Sequence, residues 1–219
     1  MRKVRRRAWV NKPASERVRV LGHRAYVGGG TPEMWYGIGK QQYHWLVSQG
    51  LRPDHRFLDI ACGSLRLGQY LIPFLNQGQY FGLEPEAELV EKGLAEELLY
   101  DIAEIKKPTF AHNYDFDFSF VDGYDYAIAQ SLVTHLNLED TTRLLAGLHK
   151  VSGPQSTFFF TFFEGDSARN PKGPSHANKR WRYSFETMAE IGAETGWTLD
   201  YIGDWKHKRR QMMIRARPA

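Results

Sequence analysis

The sequence predicts an α/β fold, a mostly parallel sheet with helices packed on both faces. Three observations point to it. From Arg56 onward, short apolar runs alternate with helical stretches at the spacing of strand-helix-strand units. The run Thr157-Phe158-Phe159-Phe160-Thr161-Phe162-Phe163 is apolar on both faces, as a central strand must be. Acids and small polar residues stand at the ends of several runs, where sheets of this class bind ligands.

The elements follow in order. Residues 1–25 read as a basic, flexible arm. Residues 26–50 read as a loop and a cap helix. The loop is the turn-rich Tyr26-Val27-Gly28-Gly29-Gly30-Thr31-Pro32, and the helix runs from Met34 to Gln49 with Gly50 as its stop. Residues 51–219 form the main domain. Its expected strands are 57–60, 79–84, 109–113, 124–130 and 157–163. Helices are expected at 67–75, 86–100, 138–151 and 184–195, and Asn137 can cap the third of these. Residues 197–204 and 211–215 look like two closing strands joined by the basic turn 206–210. The long connection from Glu164 to Tyr183 should emerge over the carboxyl edge of the sheet, as an acceptor lid or a plain loop.

Composition bounds the function. The 219 residues suit one domain with an extension, and 42% hydrophobic content suffices for a core. No run reaches the ~20 apolar residues needed to cross a bilayer. No apolar segment follows the basic start, so neither a membrane span nor a secretion signal is expected. Cys62 is the only cysteine, which excludes an intrachain disulfide and a cysteine-based zinc site. A cytoplasmic protein is the expectation. The histidines show no metal-ligand spacing with carboxylates. Residues 1–19 hold eight Lys/Arg and one acid, and residues 205–219 hold six and none. Between them stand 15 basic and 24 acidic residues. Basic ends on an acidic body can engage nucleic acid or an anionic surface, or simply stay solvated.

The chemistry-bearing residues lie at strand ends. Asp59-Ile60-Ala61-Cys62-Gly63-Ser64 closes the first strand and leads through Leu65 and Arg66 into a helix. Small residues there let a ligand approach the backbone, and a helix start attracts an anion. Asp59 can accept from a ligand ammonium. Glu84 ends the second strand, 25 residues after Asp59, and Pro85 stiffens the turn after it. An acid in that place can take both hydroxyls of a ribose. At the third strand end, Asp115 can accept from an adenine amino group and Phe116 can lie on the ring, though the alternation Asp115-Phe116-Asp117-Phe118 leaves the register open. At the fourth, Gln130 and Ser131 face the same cleft. His135 is the best-placed titratable group, as a general base or as a structural histidine at a helix start.

At these residues the chain resembles the class I methyltransferases that use S-adenosylmethionine (SAM). The string Asp59-Ile60-Ala61-Cys62-Gly63-Ser64-Leu65-Arg66, with Tyr80-Phe81-Gly82-Leu83-Glu84-Pro85 and Gln130-Ser131-Leu132-Val133-Thr134-His135-Leu136, is similar to a bacterial subgroup whose first motif reads like D-I-G-C-G-S-L-R. The first and third glycines of the superfamily's motif are Ala61 and Leu65 here. The resemblance implies a Rossmann-like three-layer sandwich with a seven-stranded, mostly parallel sheet ending in an antiparallel hairpin. It implies SAM as cofactor. Asp59, Ala61 and Gly63 would line its methionine end, Glu84 would hold its ribose, and Asp115 with Phe116 its adenine; Ser64, Arg66 and Pro85 would also bind the cofactor. Gln130 and Ser131 would lie beside it, and Tyr36 would cap the pocket. The implied reaction is methyl transfer to an unidentified acceptor, read as a small molecule, with His135 or Glu164 as base where the acceptor holds its proton. An RNA methyltransferase and a non-catalytic SAM-binding protein are the alternatives. A nicotinamide-dependent oxidoreductase fits poorly, because the three glycine positions of its fingerprint read Ala61, Gly63 and Arg66.

Overall fold

The computed structural model describes residues 14–219. Helix α1 (Ala14–Leu21) and the single turn α2 (His23–Tyr26) come first. A π-helical turn (Glu33–Gly37) runs directly into α3 (Ile38–Ser48). Then β1 (Phe57–Ile60), α4 (Gly68–Phe74), β2 (Tyr80–Leu83), α5 (Ala87–Glu96), α6 (Ile102–Lys106) and β3 (Thr109–Ala111) alternate. They are followed by β4 (Tyr124–Ala129), α7 (Leu138–His149), β5 (Ser152–Phe162), α8 (Phe185–Glu194), β6 (Trp197–Asp204) and β7 (Met212–Pro218).

The seven strands form one sheet in the order β3-β2-β1-β4-β5-β7-β6. The pairs among β1 to β5 are parallel, and β7 runs antiparallel to both β5 and β6. This is the mostly parallel sheet with a closing hairpin that the sequence predicts. Alternation along β5 explains its phenylalanine run. Phe158, Phe160 and Phe162 pack on one face with Leu144 and Leu148 of α7 and Met188 of α8. Phe159 packs on the other with Leu46 of α3, Leu71 of α4 and Val90 of α5. Both faces are covered, so neither can be polar. Asn137 caps α7 as predicted, its side chain accepting from the Asp140 N–H at 2.8 Å.

Two expectations change here. The flexible arm was expected to reach residue 25; residues 1–13 lie outside the described residues, and from Ala14 the chain is helical. There Val18 is buried, His23 meets Glu96 and Glu97 at 3.2 and 3.3 Å, and Arg24 binds Glu97 through two hydrogen bonds. Tertiary anchoring outweighs the basic composition of the segment. The basic C-terminus is not a free tail either. Arg215 and Arg217 lie on β7 and both hold Asp200 of β6 at 3.0 Å. Among the described residues, no helix is long and apolar enough to cross a membrane.

Candidate functional site

Strand order changes direction between β1 and β4, and the carboxyl ends of β1, β2 and β4 open there into one cleft of about 1360 Å³. Asp59, Ala61, Gly63, Arg66, Glu84, Pro85, Phe116, Gln130, Ser131 and His135 all line it. Sequence positions 59 to 135 are thus gathered by a topology whose parallel strands all end at one edge.

The loop after β1 keeps a left-handed backbone at alternate residues, with φ of 58° at Ala61, 57° at Gly63 and 65° at Leu65. Only Gly63 adopts this without strain; each of the other two costs about 1–2 kcal/mol. At Leu65 burial offsets the cost, since its side chain is fully enclosed and packs on the positions of Gly68 and Gly93. Ala61 has no such compensation. Ala61→Gly is therefore expected to raise the melting temperature by about 2–4 °C, the equivalent of about 1 kcal/mol at this size. Differential scanning calorimetry checks it, and an unchanged or lower value contradicts the strain.

Two buried carboxylates face the cleft. Asp59 accepts a hydrogen bond from Tyr80 Oη at 2.8 Å, and burial pushes its pKa up to about 7 against the opposing pull of that bond. Glu84 accepts from the Gly63 N–H at 3.0 Å with one oxygen and from the Glu86 N–H at 3.2 Å with the other. Burial again dominates and raises it to about 7. Each Glu84 oxygen keeps a lone pair for a further donor. Folding thus takes up protons between the ordinary carboxylate range and pH 7. These groups favour the folded state fully at low pH, and that contribution is lost as pH rises to about 7. The expected result is a decline in unfolding free energy on the order of a few kcal/mol from pH 5 to pH 7.5, reduced in Asp59→Asn. Urea unfolding across that range measures it; a slope unaltered by the substitution removes Asp59 as its source.

Arg66 is also buried, which lowers its pKa to about 10. It donates to the Val27 carbonyl and leaves its Nε without a partner. Arg209 donates to the next carbonyl, Gly28, at 2.5 Å. Together the two guanidiniums hold Tyr26-Val27-Gly28 across the mouth of the cleft. Ser131 sits at φ 64°, held by three bonds. Its N–H donates to Thr161 Oγ1, its Oγ accepts from Gln211 Nε2, and its carbonyl accepts from Thr134 Oγ1. Gln130 is tied to the same Gln211. His135 Nδ1 lies 2.6 Å from the Lys179 carbonyl. A carbonyl only accepts, so Nδ1 carries the proton and Nε2 keeps its lone pair. Burial, together with the charges of Arg180 and Arg209, holds this histidine below its ordinary pKa.

Four expected site residues do not line the cleft. Asp115 points into solvent and pairs with Arg143 at 3.3 Å. The neighbouring Asn113 folds the segment into a tight turn by accepting from the N–H groups of residues 115 and 117, which turns both acids outward. Ser64 is fully buried beneath Gly93, whose lack of a side chain lets α5 touch the Ser64 backbone. Tyr36 lies on the outer side of the π turn, with Arg24 5.1 Å over its ring. The cover it was expected to provide comes from residues 26–28. Glu164 faces away and accepts from Tyr201 Oη at 2.8 Å.

The structure adds residues that the sequence reading did not assign. From the connection 164–183, His176, Arg180 and Arg182 enter the cleft wall. That segment is pinned by the His176 N–H to the His135 carbonyl and the Trp181 N–H to the Thr134 carbonyl. From the β6–β7 turn come Arg209 and Arg210, and from the third strand end Asn113 and Tyr114.

No protein-family model matches the chain. Solved structures do share its fold. Magnesium protoporphyrin IX methyltransferase from Synechocystis, solved with bound SAM, superposes with a TM-score of 0.64 at 15% identity, over 99% of this chain and 96% of that one. A SAM-dependent methyltransferase from Clostridium acetobutylicum gives 0.64 at 10% identity, over 94% and 98%. The glycopeptide N-methyltransferase MtfA gives 0.62 at 12% identity, over 83% and 90%.

Proposed function

We propose that, on this shared fold, the chain is a SAM-dependent methyltransferase acting on a small acceptor. One observation carries the reading: Asp59 and Glu84 stand side by side in the cleft at the switch point, both buried, each with acceptor capacity unspent. Two buried acids without a cationic partner are costly. A ligand with an ammonium and a vicinal diol would supply the missing donors, and SAM carries both. Its carboxylate would find a cation in Arg66, which lines the same cleft. Gly63 leaves backbone room beside Val27, where an added Cβ would come within 3.2 Å of the valine. Phe116, Tyr114 and Leu89 offer apolar surface for a flat base.

Bound SAM supplies an activated methyl group on a sulfonium leaving group. The chain's own residues bind, orient and keep water out, a contribution worth roughly 7–11 kcal/mol when alignment is good. Leu132, Leu136 and Phe163 form the dry wall of the acceptor half. His135 is neutral near pH 7 with Nε2 free, and would take the acceptor proton where there is one. Arg66 and Arg209 hold residues 26–28 over the cleft.

The test is release of S-adenosylhomocysteine (SAH) from SAM across a panel of oxygen, nitrogen and sulfur nucleophiles, with a short RNA included. Acceptor-dependent release with a small molecule supports the reading. SAM binding without release on any acceptor favours a non-catalytic SAM-binding protein. Release with the RNA alone moves the acceptor class to nucleic acid.

A further inference from the structure

The cleft is electrically divided. Asp59, Glu84 and Glu86 line it at the ends of β1 and β2, with the buried Arg66 acting on Asp59; Arg180, Arg182, Arg209, Arg210 and His176 line it from other segments. The positive half comes from two separate segments, the connection after β5 and the β6–β7 turn. Several arginines outside the cleft are matched: Arg24, Arg52, Arg143, Arg215 and Arg217 each sit on a carboxylate. Among the described residues, none of Arg180, Arg182, Arg209 and Arg210 forms an ion pair. Asp140 also reaches the wall, but Arg143 and Ser175 already engage its carboxylate. Like charges gathered without acids repel one another: burial first, and then the charge of Arg180, lower the pKa of Arg209. Three of the four, Arg180, Arg182 and Arg210, are exposed and so stay charged and open to an anion from the cleft.

The apolar part of the same wall narrows the chemistry. Two guanidiniums stand over the Phe163 ring, Arg180 at 5.9 Å and Arg182 at 5.4 Å from its centre. It is buried, with Leu132 and Leu136 beside it on the wall. An aromatic or apolar body fits against Phe163, with an oxyanion reaching the arginines. Guanidinium forks suit carboxylate and phosphate alike.

We propose that the acceptor is a small aromatic or apolar acid, and that Arg180 and Arg182, with Arg209 and Arg210, bind its carboxylate or phosphate. This rests on the methyltransferase reading, since it assigns the acceptor half of that site. Charge also favours the pairing, because an anionic acceptor is drawn toward a cationic sulfonium. A long polynucleotide is disfavoured. The arginines are confined to one cleft, and residues 20–204 carry 24 acids against 15 basic residues.

Calorimetry on the full chain tests this with phenyl phosphate and benzoate as probes, against benzylamine and benzyl alcohol. The expected result is binding of at least one anion about tenfold or more tighter than either control, weakened by salt. In Arg180→Ala/Arg182→Ala that anion should bind about tenfold weaker, with SAH affinity within about twofold of wild type. Both side chains are exposed, so the fold does not depend on them. Absent binding of both anions at millimolar concentration, equal binding of the controls, or an unchanged variant each overturns the proposal. So does a short single-stranded RNA that binds about a hundredfold tighter than either anion and loses that affinity in the variant, which would make the site a polynucleotide groove. SAH titrated alone separates the two readings. Its failure to bind refutes the cofactor assignment, while the anion comparison still reports on the arginines.

Discussion

Glu84→Gln is expected to weaken SAH binding about 100-fold while leaving the chain folded. The carboxylate offers two anionic oxygens, each already aligned by one backbone N–H, from Gly63 and from Glu86. A diol bonded to both would gain charge-assisted hydrogen bonds worth about 1.5–3 kcal/mol each. Glutamine keeps one acceptor and turns an amide against one of those N–H groups. Losing about 3 kcal/mol gives the hundredfold figure. The fold should persist, because removal of a buried acid that burial itself disfavours offsets the about 1–3 kcal/mol cost of the N–H left without an acceptor. Calorimetry with SAH, beside a melting curve, separates the two effects. Unchanged affinity in a folded variant would remove Glu84 from the site.

The second large effect concerns His135. Its Nδ1–H is committed to the Lys179 carbonyl, and its surroundings favour the neutral ring. Such a histidine accepts a proton through Nε2 whenever pH exceeds its depressed pKa. A general base contributes about 10²–10⁴-fold to turnover. His135→Ala should therefore lower kcat by about that factor without changing SAH affinity. In the wild type at saturating SAM, which removes the pH dependence of cofactor binding through Asp59 and Glu84, kcat should fall only as pH drops below the ordinary histidine value of 6.5, since the group's pKa lies lower. That acid limb should vanish in the variant. If His135 merely anchors residues 176–181, the alanine variant would instead lose stability, raise KM and keep its pH profile.

Much of this was legible in the sequence, for identifiable reasons. The central parallel strands β1, β4 and β5 are largely buried, so 57–60, 124–130 and 157–163 read as strands whatever their neighbours. Asp59 and Glu84 stand at strand ends, and topology alone brings strand ends together. Asp115 failed for a local reason: the Asn113 side chain makes a turn that sends it outward, and alternating acids and aromatics leave no periodicity to reveal this. Tyr36 failed because, on the π turn, Trp35 takes the buried position and Tyr36 is left exposed beneath Arg24. The cleft arginines were hidden by their context. Lys206-His207-Lys208-Arg209-Arg210 reads as a basic turn with no assigned role, yet β7 runs antiparallel to β5 with Met212 opposite Phe162. That register places the preceding turn at the carboxyl edge of the sheet. An antiparallel last strand already implies it, and this was the signal available in the sequence.

Titration of the wild-type chain with SAH by isothermal calorimetry bears most directly on the cleft. The expected result is saturable one-to-one binding at about micromolar affinity, tighter at pH 8 than at pH 6 as Asp59 and Glu84 ionise. A folded chain that gives no binding of SAH or SAM at either pH would contradict the assignment of this site.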